Sequence, residues 1–334
     1  MARAGQGVWL QGKAGRGFAV LSSLAPRPTL LADTLNNSTC TNMILLGIGD
    51  EAGNSIDTQI AATQELGWRN LEMRGVEAPG FPKANFHDLP DAAFDLCVEK
   101  LNAASLSVYC FGSTIMNWAK TIETPWETTL AEVQRAIPRL NRLGTRFVRI
   151  MSFKPGDADE QIPPVVIERV REVTRRFLDA GITPVHENCM NYGGMSWQHA
   201  QQLVEKVPGL KWVFDTANPV FNADRMKPKP WPRQDPWEFW TNIRDHVAHL
   251  HIKDATWNPA KNDADYNWPG EGQGRVADIL RDAFARGYDS GISIEPHMVV
   301  VFHDANSKAS DGATRKNFVE YGQRLERLIK TIKG

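Results

Sequence analysis

The chain of 334 residues is too long for one small domain, and it suits one large α/β barrel or two domains of ordinary size. Its 38 Lys and Arg residues nearly balance 39 Asp and Glu residues, which argues against a global field that holds nucleic acid or an anionic membrane. The four cysteines are far apart without a CxxC pair, as in a cytoplasmic protein without a disulfide scaffold or cysteine zinc site. No apolar run reaches the roughly 20 residues of a membrane-spanning helix.

The first 42 residues differ in composition from the rest of the chain. Asp33 is their only acidic residue against four basic ones, and they show no helical or strand period. Three interpretations stay open for this segment: a targeting leader, an extension upstream of a natural start at Met43, or an arm that is disordered or bound to the surface. We therefore treat residues 1–42 as an N-terminal extension and residues 43–334 as the folded catalytic domain.

Beyond Met43, short apolar runs alternate with longer amphipathic stretches, which predicts strands and helices in alternation. The predicted strands span residues 43–49, 70–74, 107–111, 146–151, 183–187, 211–215, 248–252 and 291–295. The predicted helices span residues 55–66, 91–104, 124–143, 164–180, 196–207, 237–246, 276–286 and 314–332.

Turn residues support this division of the chain. Gly67, Gly181 and Gly287 stand where a helix ends before a strand, and Thr124 and Ser196 are expected helix N-caps. Strand–helix units that average about 36 residues predict an α/β fold, a single-domain (β/α)8 TIM barrel. The alternative is a doubly wound open sheet, but no Gly-rich phosphate fingerprint follows the first predicted strand.

Polar residues end four consecutive late strands: Glu187, Asp215, His251 and Glu295. The carboxyl ends of barrel strands meet at one mouth, where catalytic groups lie. Carboxylates combined with one imidazole form a mixed oxygen and nitrogen set that suits a divalent metal, with Mn²⁺ preferred and Mg²⁺, Co²⁺ or Zn²⁺ as alternatives. Any one of these residues is equally well explained as a helix cap or a surface group, but the four together predict a metal site.

Strand alternation sorts the neighbouring polar residues by face. His297 lies two residues after Glu295, and Lys253 lies two residues after His251, so both are expected to face the mouth. His186 is expected to point toward the helices, unless the strand twists at its end.

Other polar residues are weaker candidates. Arg149, Glu72 and Arg74 end early strands and are candidate substrate contacts, each equally well explained as structural. His303 and Asp304 follow the eighth strand and are candidates to cap the site.

Five segments carry a family resemblance: VHEN at 185–188, FDTAN at 214–218, HIKD at 251–254, PGEG at 269–272 and SIEPH at 293–297. They resemble the sugar phosphate isomerase/epimerase family of xylose-isomerase-like barrels, which includes tagatose 3-epimerase, inosose dehydratase and endonuclease IV. The resemblance covers essentially residues 43–334. It implies that Glu187, Asp215, His251 and Glu295 are the metal ligands, and that Glu187 and Glu295 are also the acid–base pair.

The chain departs from the epimerase branch at two positions that help to orient a ketose. Asn218 stands where that branch commonly has His, and the arginine that often follows the strand-seven His is absent from residues 255–257. The expected substrate contacts are therefore Lys253, Asn218, Arg149 and Trp257.

The expected function is a divalent-metal-dependent sugar isomerase or epimerase that acts through an enediolate. The alternative is a metal-dependent lyase or dehydratase, similar to the large subunit of enzymes that cleave 3-oxo-sugar C-glycosides with a small second subunit. His186 or His297 would add acid–base catalysis there. A non-catalytic metal-binding barrel subunit is the alternative of another class. We expect a homo-oligomer with a small-molecule sugar or oxo-glycoside substrate and no nucleic-acid or membrane partner.

Overall fold

A computed structural model describes residues 43–299 and 310–334. The N-terminal extension, His303 and Asp304 lie outside these described residues. Eight parallel strands form the central sheet. They are β1 (Ile44–Gly47), β2 (Asn70–Met73), β3 (Ser107–Gly112), β4 (Phe147–Ile150), β5 (Thr183–Glu187), β6 (Lys211–Asp215), β7 (Val247–Ile252) and β8 (Gly291–Ile294).

The sheet closes into a barrel. Each strand from β2 to β8 pairs with the next, and β8 pairs with β1. A parallel bridge between Ile48 and Glu72 joins the end of β1 to β2. Inside the barrel, Cys110, Phe147 and Val185 belong to one buried apolar cluster. The predicted TIM barrel is therefore confirmed.

Helices cover the outside of the strands, where two larger apolar clusters fill the space between layers. The helices are α1 (Ile56–Glu65), α2 (Asp91–Ala103), α3 (Trp126–Leu143), α4 (Pro164–Asp179), α5 (Trp197–Lys206), α6 (Pro236–Ile243), α7 (Val276–Ala285) and α8 (Asp311–Lys333). Within the described part of the chain, none of them combines the length and apolar character needed to cross a bilayer.

The predicted turn chemistry is confirmed except at one helix start. Gly67, Gly181 and Gly287 adopt positive φ angles of 71°, 77° and 80°, which favour glycine. The Ser196 side chain accepts a hydrogen bond from the backbone N–H of His199 and so caps α5. The prediction that Thr124 caps a helix was wrong, because α3 begins after Pro125, whose restricted φ suits a helix start.

Three short elements that the sequence did not predict follow β2, β6 and β7. Gly75–Val76 pairs with Ala84–Asn85 in one hairpin, and Asp254–Asn258 pairs with Asp263–Asn267 in another. A one-turn helix, Asn218–Phe221, follows β6. Residues from all three elements line the mouth of the barrel, so these elements shape the cavity around the candidate site.

Candidate active site

The carboxyl ends of four strands bring the predicted metal ligands together. Glu187 and Asp215 are the last residues of β5 and β6, His251 lies in β7, and Glu295 follows β8. One potential ligand atom from each residue lies within 4.8 Å of the others. All four side chains are buried, so a cation held between them would be largely shielded from water.

Glu72 orients His251 from inside the barrel. His251 Nε2 lies 3.0 Å from Glu72 Oε2 and donates its hydrogen to this carboxylate. His251 Nδ1 then faces Glu187 Oε1 at 3.7 Å and Glu295 Oε2 at 3.9 Å. Nδ1 has no hydrogen-bond partner among the described residues. An imidazole nitrogen and carboxylate oxygens this close together fit a divalent cation, and the hydrogen bond from Nε2 to Glu72 leaves Nδ1 as the ligand atom once its proton is displaced.

The structure does not support Glu72 as a substrate contact. Its side chain is fully buried and also accepts hydrogen bonds from His249 Nε2 at 2.8 Å and Ser293 Oγ at 3.1 Å. Burial raises the pKa of Glu72, but the two neighbouring histidines outweigh burial and hold it well below its usual value. Glu72 is therefore an ionised carboxylate that supports His251 from below the mouth.

Three predicted substrate contacts lie at the mouth beside the ligand cluster. Arg149 Nη1 is 3.0 Å from Glu187 Oε2, and Asn218 Nδ2 donates to Glu187 Oε1 at 3.1 Å. Lys253 Nζ lies 3.0 Å from Asp215 Oδ2 and 3.2 Å from the nearer Glu295 oxygen. The three side chains line the mouth cavity and place positive charge and a donor next to the carboxylates.

The neighbouring charges keep the two glutamates ionised. Burial raises the pKa of Glu187, but nearby cations, Arg149 foremost, outweigh it and lower this pKa to about 2. Burial also raises the pKa of Glu295, which Lys253 and other cations hold well below its usual value. Burial raises the pKa of Asp215 to about 7, with the other carboxylates adding to the effect and Lys253 opposing it. The glutamates can therefore accept protons at neutral pH.

An acidic pair beside the mouth was missed by the sequence analysis. Asp50 and Glu51 are buried just after β1, and Arg74 forms ion pairs with both, at 2.9 Å and 2.7 Å. Arg74 Nη1 also contacts Glu295 Oε1 at 2.5 Å. Glu51 Oε1 lies 2.9 Å from His297 Nδ1. Asp50 and Glu51 thus hold Arg74 and His297 against Glu295. The position of the two acidic residues at the end of the first strand was the sequence signal that could have identified them.

Two predicted site residues lie away from the mouth. His186 is on the outward face of β5, stacked on Trp212 with ring centroids 4.6 Å apart. Burial lowers the pKa of His186 to about 3, so this ring is neutral at physiological pH. Trp257 packs under the Arg233 guanidinium, which lies 3.7 Å from the centroid of its ring, and it is absent from the cavity lining. The structure thus places neither His186 nor Trp257 in the cavity lining, and the roles expected of the two residues stay predictions.

The mouth encloses a cavity of about 380 Å³ above the ligand cluster. This volume is within the range of small-molecule sites. Charged and amide side chains line the cavity together with five large apolar or aromatic side chains. These five are Trp118, Met151, Met190, Phe221 and Tyr266.

Asp254 fixes the loop that follows the β7 hairpin. Its buried carboxylate accepts backbone N–H groups from Ala255, Gly270, Gly272 and Gly274 at 2.8–2.9 Å. A Cβ at Gly272 would lie 2.4 Å from Asp254 Oδ1, so glycine is required for this close approach. The conformation of this loop therefore depends on Asp254, the residue next to Lys253.

Replacing Asp254 by asparagine is expected to destabilise the protein by about 2–3 kcal/mol, because the new NH₂ group would face backbone donors. Urea unfolding monitored by circular dichroism measures this change. Asp179→Asn is the matched control, since Asp179 forms an exposed ion pair with Arg175, and its replacement should change stability by less than about 0.5 kcal/mol. Equal stability of the two variants would contradict the role assigned to Asp254.

The sequence of the chain matches one known protein family. The model of the xylose isomerase-like TIM barrel family matches residues 60–316. The chain belongs to this family. The resemblance inferred from its sequence motifs is thereby confirmed, although no curated protein sequence matches the chain.

Solved structures of low sequence identity share the fold. A xylose isomerase-like TIM barrel protein from Mycobacterium smegmatis in complex with magnesium has a TM-score of 0.59 and 17% identity, covering 88% of this chain and 100% of its own. The probable 3-DHS dehydratase AsbF from Bacillus anthracis has a TM-score of 0.61 and 14% identity, covering 86% and 98%. A D-tagatose 3-epimerase-like protein has a TM-score of 0.58 and 17% identity, covering 86% and 99%.

Proposed function

We propose that the chain is a divalent-metal-dependent sugar isomerase or epimerase. The observation that carries this proposal is the convergence of Glu187, Asp215, His251 and Glu295, whose ligand atoms lie within 4.8 Å of one another. The structural neighbour described with magnesium and the one described as epimerase-like agree with this chemistry.

These four residues would hold the cation. Three carboxylates and one imidazole favour Mn²⁺, and Mg²⁺, Co²⁺ and Zn²⁺ are the alternatives to compare. When bound, the cation polarises the carbonyl of the sugar and stabilises the enediolate formed by proton loss.

Glu187 and Glu295 are assigned as the acid–base pair. Their carboxylates come from different strands, so one removes the proton from the carbon next to the carbonyl and the other returns a proton. Return to the opposite face of the same carbon gives an epimer, and return to the neighbouring carbon gives an isomer. Arg149, Asn218 and Lys253 would bind sugar oxygens and fix the orientation of the substrate over the pair.

A lyase or dehydratase is the second candidate, and the position of His297 favours it. His297 Nε2 lies 3.8 Å from Glu295 Oε1, and Glu51 holds the opposite side of the ring. An imidazole beside the proposed base would protonate a leaving group that departs from the carbon β to the carbonyl. The neighbour described as a probable dehydratase agrees with this chemistry.

Solvent deuterium exchange distinguishes these functions. The Mn²⁺-loaded protein and a metal-free sample are incubated with a panel of ketoses and 3-oxo-glycosides in D₂O and followed by NMR. Metal-dependent deuterium at the carbon next to the carbonyl would support the isomerase or epimerase, and elimination products would select the lyase. A protein that binds metal but gives neither result would be a non-catalytic barrel subunit. Light scattering of the same samples, alone and with a small second subunit, tests the expected homo-oligomer.

Metal affinity is expected to rise with pH, by about tenfold per unit between about pH 7 and about pH 10 and more steeply below pH 7. Burial lowers the pKa of His251, but Glu72 and Glu187 outweigh burial and raise it to about 10. Between about pH 7 and about pH 10, cation binding must displace one proton, from Nδ1 of His251. Below about pH 7 Asp215 is also protonated, so cation binding must displace a second proton from its carboxyl group. Mn²⁺ titration calorimetry in buffers of different ionisation enthalpy measures both affinity and released protons. A pH-independent affinity would contradict this assignment of ligands.

A further inference from the structure

A second cavity adjoins the mouth. It measures about 220 Å³ and lies between the loops that follow β4, β5 and β6. Cys189 and Met190 line both this side cavity and the mouth cavity, so one short segment separates the two. Met190 is 37% exposed, although it stands between two cavities of the barrel mouth. A ligand seated over the metal ligands can therefore extend past Met190 without opening the fold.

One short helix connects the side cavity to the candidate active site. Asn218, at its start, donates to Glu187, and Phe221, at its end, lines the mouth cavity. The next residue, Asn222, lines the side cavity, and its backbone N–H donates to the Asn218 carbonyl at 3.0 Å. The same turn of backbone thus presents side chains to both cavities.

The side-chain amide of Asn222 is a polar group without an assigned role. The residue is only 9% exposed, and its Nδ2 makes no hydrogen bond within the described residues. Its backbone groups are used, because the carbonyl accepts from Gln234 N–H at 3.1 Å. Rotation of the amide about χ2 exchanges Nδ2 and Oδ1, so the residue can offer either a donor or an acceptor to the side cavity.

The rest of the side cavity suits a ring with an apolar face. Pro155, Met190, Met195 and Ala223 supply apolar surface, and the charged residues Asp157 and Arg225 also line the cavity. Methionine side chains adapt their shape to a flat ligand and make favourable contacts with rings. Lys154 is exposed at the same cavity, where it adds a second donor. A ring with one apolar face and oxygen atoms at its edge matches these groups.

We propose that the side cavity binds a second ring, joined through oxygen to the sugar that reacts in the mouth, so that the substrate is a two-ring glycoside rather than a free monosaccharide. This inference rests on the proposed function for the placement of the reacting sugar. The ring is a second pyranose or a hydroxyaryl group, because both present an apolar face and an oxygen atom at the edge.

Calorimetry on the Mn²⁺-loaded full chain tests the proposal with three ligands. They are a free ketose, the same ketose O-linked to a pyranose, and the same ketose O-linked to a hydroxyphenyl ring, with each link made through a hydroxyl that leaves the carbonyl free. At least one two-ring ligand is expected to bind about tenfold more tightly than the free ketose. The two-ring ligand that binds more tightly identifies which kind of ring the side cavity prefers. Equal affinity for all three ligands would overturn the proposal.

Two variants locate the preference in the side cavity. Ala223→Leu fills the cavity, and Asn222→Leu removes the amide; each is expected to reduce the ratio of two-ring to free-ketose affinity about tenfold. Ala260→Leu, on an exposed turn, is the matched control and should leave the ratio unchanged. If Ala223→Leu does not fold, the affinity ratio of Asn222→Leu alone tests whether the second ring binds in the side cavity. A wild-type ratio in the folded variants would refute the side cavity as the second-ring site.

The proposed function and this inference fail in different ways. Absence of metal-dependent exchange or elimination with every ligand would refute the proposed enzyme, while a two-ring binding preference that both variants remove would still support the side cavity. Exchange with the free ketose but no two-ring preference would leave the proposed function intact and overturn the inference.

Discussion

Replacement of Glu295 by glutamine is expected to reduce metal-dependent proton exchange about 10³-fold, because a neutral amide cannot accept the substrate proton. Metal affinity should fall by a smaller factor, since the amide oxygen still binds a cation. The fold should persist, because Arg74 keeps its ion pairs with Asp50 and Glu51, and Lys253 keeps its contact with Asp215. Deuterium exchange by NMR and Mn²⁺ titration measure the two effects separately.

The matched control for this variant is Glu205→Gln. Glu205 is an exposed residue near the end of α5, and its side chain accepts a hydrogen bond from Gln201 far from the mouth. Its replacement should therefore leave metal affinity and exchange unchanged. Full exchange activity in Glu295→Gln would remove Glu295 from the acid–base pair. Complete loss of metal binding would instead show that the charge of Glu295 is needed to hold the cation.

The second large effect is expected at Glu72, which touches neither the cavity nor the proposed cation. Glu72→Gln should weaken metal binding about 10–100-fold, because His251 loses the carboxylate that fixes its tautomer. It should also destabilise the protein by about 3 kcal/mol, because a charged acceptor is removed from two buried histidines. Metal titration and denaturant unfolding measure the two quantities.

Ser293→Ala provides the graded control, since it removes one hydrogen bond from the same Glu72 oxygen at 3.1 Å. It should cost about 1 kcal/mol and leave metal affinity nearly unchanged. If Glu72→Gln had the stability and metal affinity of the wild type, the conclusion that Glu72 orients His251 would be wrong.

The sequence by itself determined the barrel and the four residues at its mouth. Alternating strand and helix periods define the architecture, and all parallel strands point their carboxyl ends to one side of a closed sheet. Polar residues at the ends of β5, β6, β7 and β8 must therefore meet. Strand alternation also placed His186 outside the barrel and His251 inside, because successive side chains point to opposite faces.

Only the tertiary structure decided which other side chains complete the site. Arg74 reaches Glu295 across 221 positions of sequence, and Glu72 reaches His251 across 179. The end of β2 alone could not separate Glu72, buried under the mouth, from Arg74, which lines the mouth cavity, since Arg74 follows the strand only two residues after Glu72. Such contacts depend on barrel closure between β1 and β2, on register and on side-chain rotamers. Local sequence periods carry no information about these three properties, because each is fixed by packing between distant segments.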